Sequence, residues 1–251
     1  MPMAGNGSRF SDQGYYTPKP FIPVNGIPMF SHAEKCIGID FDEKIFIVRK
    51  EHDLKSQIME WYPDSHVIEL DQLTDGTACT IMAARDHFED GSSIFVSNCD
   101  QHIDWDPDNF KMIASENEVD GIILNFHCPE RDPKWSYAEV NSLNNIVRVA
   151  EKNPISDWAT AGLYYWRDGR HFIQSVEDMI AANDRVNNEF YTCPVYNYTV
   201  KLPGIQDIRH MKIDRMQGIG TPPDLMEFLG FDSIKQLDEY MIKNEAMNPA
   251  P

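Results

Sequence analysis

The chain has 251 residues, enough for one large domain or two small ones with a substantial core. It is 42% hydrophobic and 25% charged, an ordinary globular composition. Its net charge of −18 argues against nonspecific binding to nucleic acid or to an anionic membrane, although a few local cations could still hold a small anionic substrate.

No apolar run approaches the roughly 20 residues that a membrane-spanning helix needs. Cys36, Cys79, Cys99, Cys128 and Cys193 are scattered and odd in number, without a Cys-x-x-Cys pair. That usage predicts reduced thiols and a cytoplasmic location.

The chain opens on Met-Pro-Met-Ala-Gly-Asn-Gly-Ser-Arg-Phe, so close to residue 1 that no signal peptide is expected before it. Gly5 and Gly7 flank Asn6, a spacing that lets backbone approach a ligand closely and aim N–H groups at it. Ser8 and Arg9 add a hydroxyl and a permanent cation suited to phosphate oxygens. Lys19 lies between Pro18 and Pro20, which stiffen its backbone. A phosphate loop normally follows a buried strand, yet only Met1, Pro2 and Met3 precede Ala4. The first strand is therefore expected to be truncated. A clipped chain is the favoured explanation, because a three-residue central strand would leave its neighbours' backbone groups unpaired.

Phe21 to Gly26 reads as an extended piece ending in an Asn-Gly turn. A helix is expected from Met29 to Cys36, a buried strand over Lys44–Arg49, a helix from His52 to Tyr62 and a strand over His66–Leu70. A loop at Thr74–Thr77 leads into a helix over Ala78–Phe88, and a strand over Ser93–Ser97 delivers Asn98, Cys99 and Asp100 at its carboxyl end. Asp108–Glu116 reads as a helix, with strands at Gly121–Phe126 and Tyr137–Val140. This alternation of strand and helix marks a doubly wound α/β sheet. Further on, strands are expected at Ile146–Glu151, Ala159–Trp166 and His210–Met216, and helices at Gly169–Ala182, Thr221–Leu229 and Ser233–Lys243. Aromatic-rich Phe190–Val200 has no assigned element, though Glu189–Asn197 within and beside it reads mainly as core packing and sheet. With no repeat or linker, a single domain over residues 1–243 is expected, followed by a tail over 244–251.

Read from the residues, Asp100 projects from the carboxyl edge of a sheet, where such folds bind ligands, and is a hard oxygen donor suited to Mg²⁺ or else a turn or cap residue. Asp104 to Asp108 reads as a solvated turn, since the glycine and terminal glutamate of a calcium loop are missing. The eight histidines show no metal-ligand spacing.

Gly5-x-Gly7-Ser8-Arg9-Phe10, Gly14-Tyr15 and Pro18-Lys19-Pro20-Phe21-Ile22-Pro23-Val24-x-Gly26-x-Pro28-Met29 together resemble the signature of sugar-1-phosphate nucleotidyltransferases. The likeness continues over nearly the whole chain. It implies a three-layer, glycosyltransferase-A-like α/β fold, with a mixed sheet between helices. It also implies a nucleoside triphosphate wrapped by Ala4, Gly5, Asn6, Gly7 and Ser8. Arg9 and Lys19 would then be the catalytic cations and Asp100 the Mg²⁺ ligand, with Cys99 beside it in the nucleotide site. By the same resemblance Thr74, Gly76 and Thr77 approach the nucleobase.

Glu151-Lys152-x-x-x-Ser156-x-x-Ala159-x-x-Gly162-x-Tyr164 is similar to the family's acceptor segment, so Glu151 and Lys152 would meet the sugar phosphate, alongside Gly162. Glu189 and Tyr191 are candidates to line the same pocket. Family members often carry an aspartate where this chain has Gly218, which leaves one protein carboxylate on the metal unless Asp214 or Asp224 substitutes. The single-aspartate pattern resembles the cytidylyltransferase branch and implies cytidine triphosphate as donor. The expected partners are a nucleoside triphosphate and a small phosphorylated acceptor of capsule or lipopolysaccharide type, and a homo-oligomer is allowed. Two other readings stay open: a glycosyltransferase of the same fold, and an inactive nucleotide-binding remnant.

Overall fold

In the computed structural model, residues 1–245 are described, and the backbone order follows from where apolar side chains can be buried on both faces of one sheet. The first helical turn, α1 (Ser8–Ser11), is followed by a small hairpin of β1 (Pro23–Val24) and β2 (Ile27–Pro28) and by α2 (Met29–Ile37). A parallel pair, β3 (Ile45–Arg49) and β4 (His66–Leu70), brackets α3 (Lys55–Trp61). Next come α4 (Thr77–Met82), β5 (Ile94–Ser97), β6 (Gln101–Asp104), α5 (Pro107–Ala114), β7 (Gly121–His127), β8 (Ser136–Val140), β9 (Ile146–Glu151) and β10 (Trp158–Trp166). The chain continues through α6 (Gly169–Ala181), α7 (Tyr196–Thr199), β11 (Ile208–Lys212), β12 (Arg215–Gly218), α8 (Pro222–Leu229) and α9 (Ile234–Glu245).

The main sheet is mixed. β10 is its centre, with antiparallel β7 along one edge and β11 parallel beyond β7. β5 pairs with Leu163–Trp166 and β8 with Ala159, so these two strands share the other edge of β10 in succession. Alternation sorts the side chains to the two faces. Ile122, Leu124, Leu163 and Tyr165 enter one core, and Ile123, Tyr164 and Trp166 the other. With both faces covered, the strands read as nearly continuous apolar runs.

The aromatic stretch near residue 190 is helical, not sheet. Trp166 stacks on Tyr196 at 4.2 Å, and its indole N–H donates to Thr199 at 3.1 Å, so α7 packs as a cover under β10. The expected strand at His210–Met216 is two strands, β11 and β12, the second pairing with β6, which the sequence reading did not anticipate. α9 runs past residue 243, with Asn244 buried and donating to the Tyr240 carbonyl at 2.7 Å. The rest of the expected tail, residues 246–251, lies outside the described residues.

The first strand is a short one. Pro2 bridges Ile47 in parallel, with the Met3 N–H donating to the Ile47 carbonyl at 2.7 Å and the Ile47 N–H to the Met1 carbonyl at 3.1 Å. Beyond this short ladder, Ile45–Ile47 and Ile94–Ser97 face each other across a cleft of about 470 Å³ that residues 1 and 2 only begin to enter. β3 and β4 consequently form a sheet of their own.

Candidate active site

The site forms where β5 and β8 part along the edge of β10. Gly162 lies at that junction with φ 69°, and a Cβ there would fall 2.4 Å from the Asn98 amide nitrogen and 2.5 Å from the Gln101 amide oxygen. Only glycine allows both side chains to cross beneath the cleft. β6 then pairs with β12, bringing Gly220 against Asp100; a Cβ on Gly220 would sit 2.1 Å from the Asp100 carboxylate. The resulting cleft has a volume of about 770 Å³, a size suited to a small-molecule ligand.

Four cations line it: Arg9, Lys19, Lys134 and Lys152. Three carboxylates, Asp100, Glu151 and Asp224, line it as well. In a chain of net charge −18, a cleft where cations outnumber carboxylates by one is locally favourable to an anionic ligand. Lys19 donates to Asp100 Oδ2 at 2.7 Å with both side chains about a quarter exposed. Burial is the largest single influence on the Lys19 ammonium and opposes it, but the charge and hydrogen bond of Asp100, together with the nearby Cys99, hold the Lys19 pKa above its ordinary value. Gly7, at φ 63°, lets the loop lie flat on Lys19, since a Cβ there would be 3.1 Å from Lys19 Cβ. Burial pushes the Cys99 thiol up to about 11, so it is a neutral wall of the cleft.

Across the cleft, Lys152 donates to the Tyr191 hydroxyl at 2.8 Å and lies 4.7 Å from its ring centroid. Lys152 has φ 51°, a left-handed conformation rare outside glycine and concentrated at functional sites. Burial pushes the Glu151 carboxyl above its ordinary range against the opposing pull of Ser136, which donates to it, and of Lys152.

Of the residues expected from sequence, Gly5, Gly7, Arg9, Lys19, Thr77, Cys99, Asp100, Glu151, Lys152, Gly162 and Tyr191 line this one cleft. The others are held elsewhere. The Ala4 side chain is in the core, and Asn6 accepts from Arg49 at 3.0 Å. Ser8 opens α1, exposed to solvent and outside the lining. Thr74 bonds to Thr80 at 2.6 Å, and Gly76 backs onto Phe190, whose N–H and carbonyl a Cβ would meet at 2.5 Å. Glu189 is paired with Val186 in a turn.

Gly218 lines the cleft, but a Cβ there would lie 2.9 Å from the Trp135 ring. The indole occupies the room an aspartate side chain would need. Asp224 is committed to the start of α8, accepting from Thr221 at 2.6 Å and from Lys134 at 3.3 Å. Asp214 is outside the lining. Asp100, paired with Lys19, is thus the carboxylate of the cleft not committed to capping a helix or to the Ser136 hydroxyl.

Two contributors were missed from the sequence. Gln101 is 2% exposed, lines the cleft, and neither atom of its amide has a partner. Its signal was only its place after Asp100. Lys134 comes from a loop with no motif. The histidines also hold a surprise: His32, Cys36 and His102 converge behind the cleft.

The model of the family described as nucleotidyl transferase matches residues 3–193, most of the chain and every strand that builds the site except β12. The chain belongs to the nucleotidyl transferase family. Among solved structures, this nucleotidyltransferase superposes on a nucleoside-diphosphate-sugar pyrophosphorylase from Vibrio cholerae RC9 with a TM-score of 0.78 and 26% identity. The match covers 91% of this chain and 99% of that one. It also superposes on the inositol-1-phosphate CTP transferase of T. maritima with a TM-score of 0.71, 17% identity and coverage of 97% and 94%. No curated protein matches significantly. Among the described residues, no helix is long and apolar enough to cross a membrane.

Proposed function

We propose that this nucleotidyltransferase moves a nucleoside monophosphate from a nucleoside triphosphate to a sugar-1-phosphate or a similar small phosphorylated acceptor, with Mg²⁺ and with release of pyrophosphate. The observation that carries this reading is the convergence in one cleft of Arg9, Lys19 and Asp100 on one side and Glu151 and Lys152 on the other. One set suits a triphosphate, the other a second anionic substrate with hydroxyl groups.

The donor set fits Mg²⁺. Asp100 offers a hard carboxylate, the glycine at position 220 leaves its oxygen uncovered, and the unpartnered Gln101 amide lies in the same cleft, able to hold a water. One protein carboxylate suffices for an ion that takes most of its oxygens from phosphates and water. When bound there it would neutralise phosphate charge and help align the reacting groups.

The chain's own residues do the positioning. Arg9, on the exposed first turn of α1, can fork onto the leaving phosphates. Lys19, held on a Pro-flanked backbone, can neutralise the phosphate under attack. Lys152 would hold the acceptor's phosphate and Glu151 its hydroxyls. An in-line displacement by a phosphate oxygen needs charge neutralisation and alignment more than a proton-transfer group.

Cytidine triphosphate is the donor placed first, because one carboxylate stands where other members often have two; a role in capsule or lipopolysaccharide precursor synthesis follows from the same resemblance. The decisive experiment is a matrix of nucleoside triphosphates against phosphorylated acceptors, scored by pyrophosphate release. Turnover in one cell of the matrix supports the reading. Tight triphosphate binding without pyrophosphate across the panel would overturn it.

A further inference from the structure

His32 and Cys36 are one helical turn apart on α2, so their side chains share a face. His102 comes from β6, where alternation turns Gln101 toward the cleft and His102 to the opposite side. The three meet on that side. His32 Nε2 is 3.1 Å from His102 Nδ1, and the Cys36 sulfur is 3.3 Å from His102 Nδ1 and 3.8 Å from His32 Nε2. None of them lines the catalytic cleft.

We propose that His32, Cys36 and His102 form a zinc site that ties α2 to the strand following Asp100. A tetrahedral zinc with bonds of about 2.05 Å to nitrogen and 2.3 Å to sulfur holds its ligand atoms roughly 3.3 to 3.6 Å apart, so each of the separations of 3.1, 3.3 and 3.8 Å needs to change by only about 0.3 Å for the three atoms to take up the ion. Two imidazoles and a thiol, with no carboxylate among them, are a donor set that selects zinc over magnesium. The surroundings fit as well. The other nitrogen of His102, Nε2, lies 3.4 Å from Asp104 Oδ1, the carboxylate partner that orients a metal-bound imidazole. Phe228 of α8 packs against both imidazoles, with centroids 5.3 Å from His32 and 5.1 Å from His102, and forms an apolar wall. On binding, the Cys36 thiol gives its proton to solvent as the sulfur–zinc bond forms. The fourth position is left to water. Because His102 is two residues from Asp100, the ion would brace the segment that carries the catalytic carboxylate from behind.

The test is metal content and spectrum, independent of turnover. Purified protein is stripped with chelator, reloaded with Zn²⁺ or Co²⁺, freed of excess metal and assayed for bound metal. The expected result is one equivalent retained, with a thiolate-to-cobalt charge-transfer band for the Co²⁺ form and a higher Tm for the Zn²⁺ form. Cys36→Ser should abolish the band, and His32→Gln should release the metal. Asp104→Asn should weaken binding roughly tenfold. No retained metal would overturn the proposal and leave the three side chains as a hydrogen-bonded cluster. Metal retained by Cys36→Ser but lost in His87→Ala would also overturn it, by placing the ion on the outer group of Glu43, His66 and His87.

Discussion

Lys19 and Asp100 are 81 residues apart and joined at 2.7 Å, so the cation proposed to meet phosphate neutralises the carboxylate proposed to hold the metal. Each therefore holds the other in place and ready. A divalent ion on Asp100 would release Lys19 to the phosphates in the same event. The pair is about a quarter exposed, so breaking it leaves no deeply buried charge and the fold should survive.

Asp100→Ala and Arg9→Ala are each expected to cut turnover by at least ~10²-fold while circular dichroism and Tm stay close to the wild type. Steady-state pyrophosphate release measures the first and thermal melts the second. Wild-type rates in both variants would remove these residues from the mechanism.

Gly76 makes a different prediction. It was expected to approach a nucleobase, but its φ is 132° and its missing Cβ makes room for the backbone of Phe190. The Phe190 N–H donates to the Asp75 carbonyl at 2.7 Å and its carbonyl accepts from Ala78 at 3.0 Å, a backbone clasp directly across that glycine. Gly76→Ala should therefore destabilise the protein by at least about 2 kcal/mol in urea unfolding, with or without nucleotide. A variant of normal stability with weakened triphosphate affinity would assign Gly76 to nucleotide binding instead.

These cases show what the sequence could reveal. Gly5, Gly7 and Arg9 of the opening glycine loop, Asp100 at a strand end, and the Glu151-Lys152 segment were legible because a local motif dictates them, and these residues do converge on one cleft. The β5–β10 core was legible because buried strands read as apolar runs. β6 was not, being four residues of mixed polarity whose partner, β12, is more than 100 residues away. The helical cover at 193–199 was hidden because aromatic residues fit a sheet equally well until Trp166 stacks on Tyr196. The His32–Cys36–His102 cluster depends on the same long-range placement of β6, so only the i, i+4 half of it is in the sequence.

Glu151 carries a trade between stability and binding. Burial raises its carboxyl pKa, so the folded protein holds a proton that the unfolded chain releases more readily. Folding is therefore favoured least once pH has risen through the ordinary carboxylate value and past the raised one. Glu151→Gln should make the protein more stable at pH 7 to 8 and remove the loss of stability that runs from the ordinary carboxylate value up to the raised one, while raising the acceptor's KM. Urea unfolding at two pH values and acceptor titrations check both halves. An unchanged KM would remove Glu151 from the acceptor site.

His210 gives the opposite slope. It is 6% exposed, its Nδ1–H donates to Asn125 Oδ1 at 3.0 Å, and its ring lies 4.5 Å from that of Trp158. Burial pulls its pKa down to about 4. Between that value and the ordinary one near 6.5, the unfolded chain binds a proton that the folded protein excludes. Stability must therefore rise with pH across this window and fall on acidification. The linkage amounts to about 2 kcal/mol between pH 7 and pH 5. His210→Gln, which keeps a polar partner for Asn125 but cannot titrate, should lose that much less over the same interval. Unfolding curves of the two proteins at pH 7 and pH 5 supply the comparison, and parallel losses would show that His210 is not the titrating group.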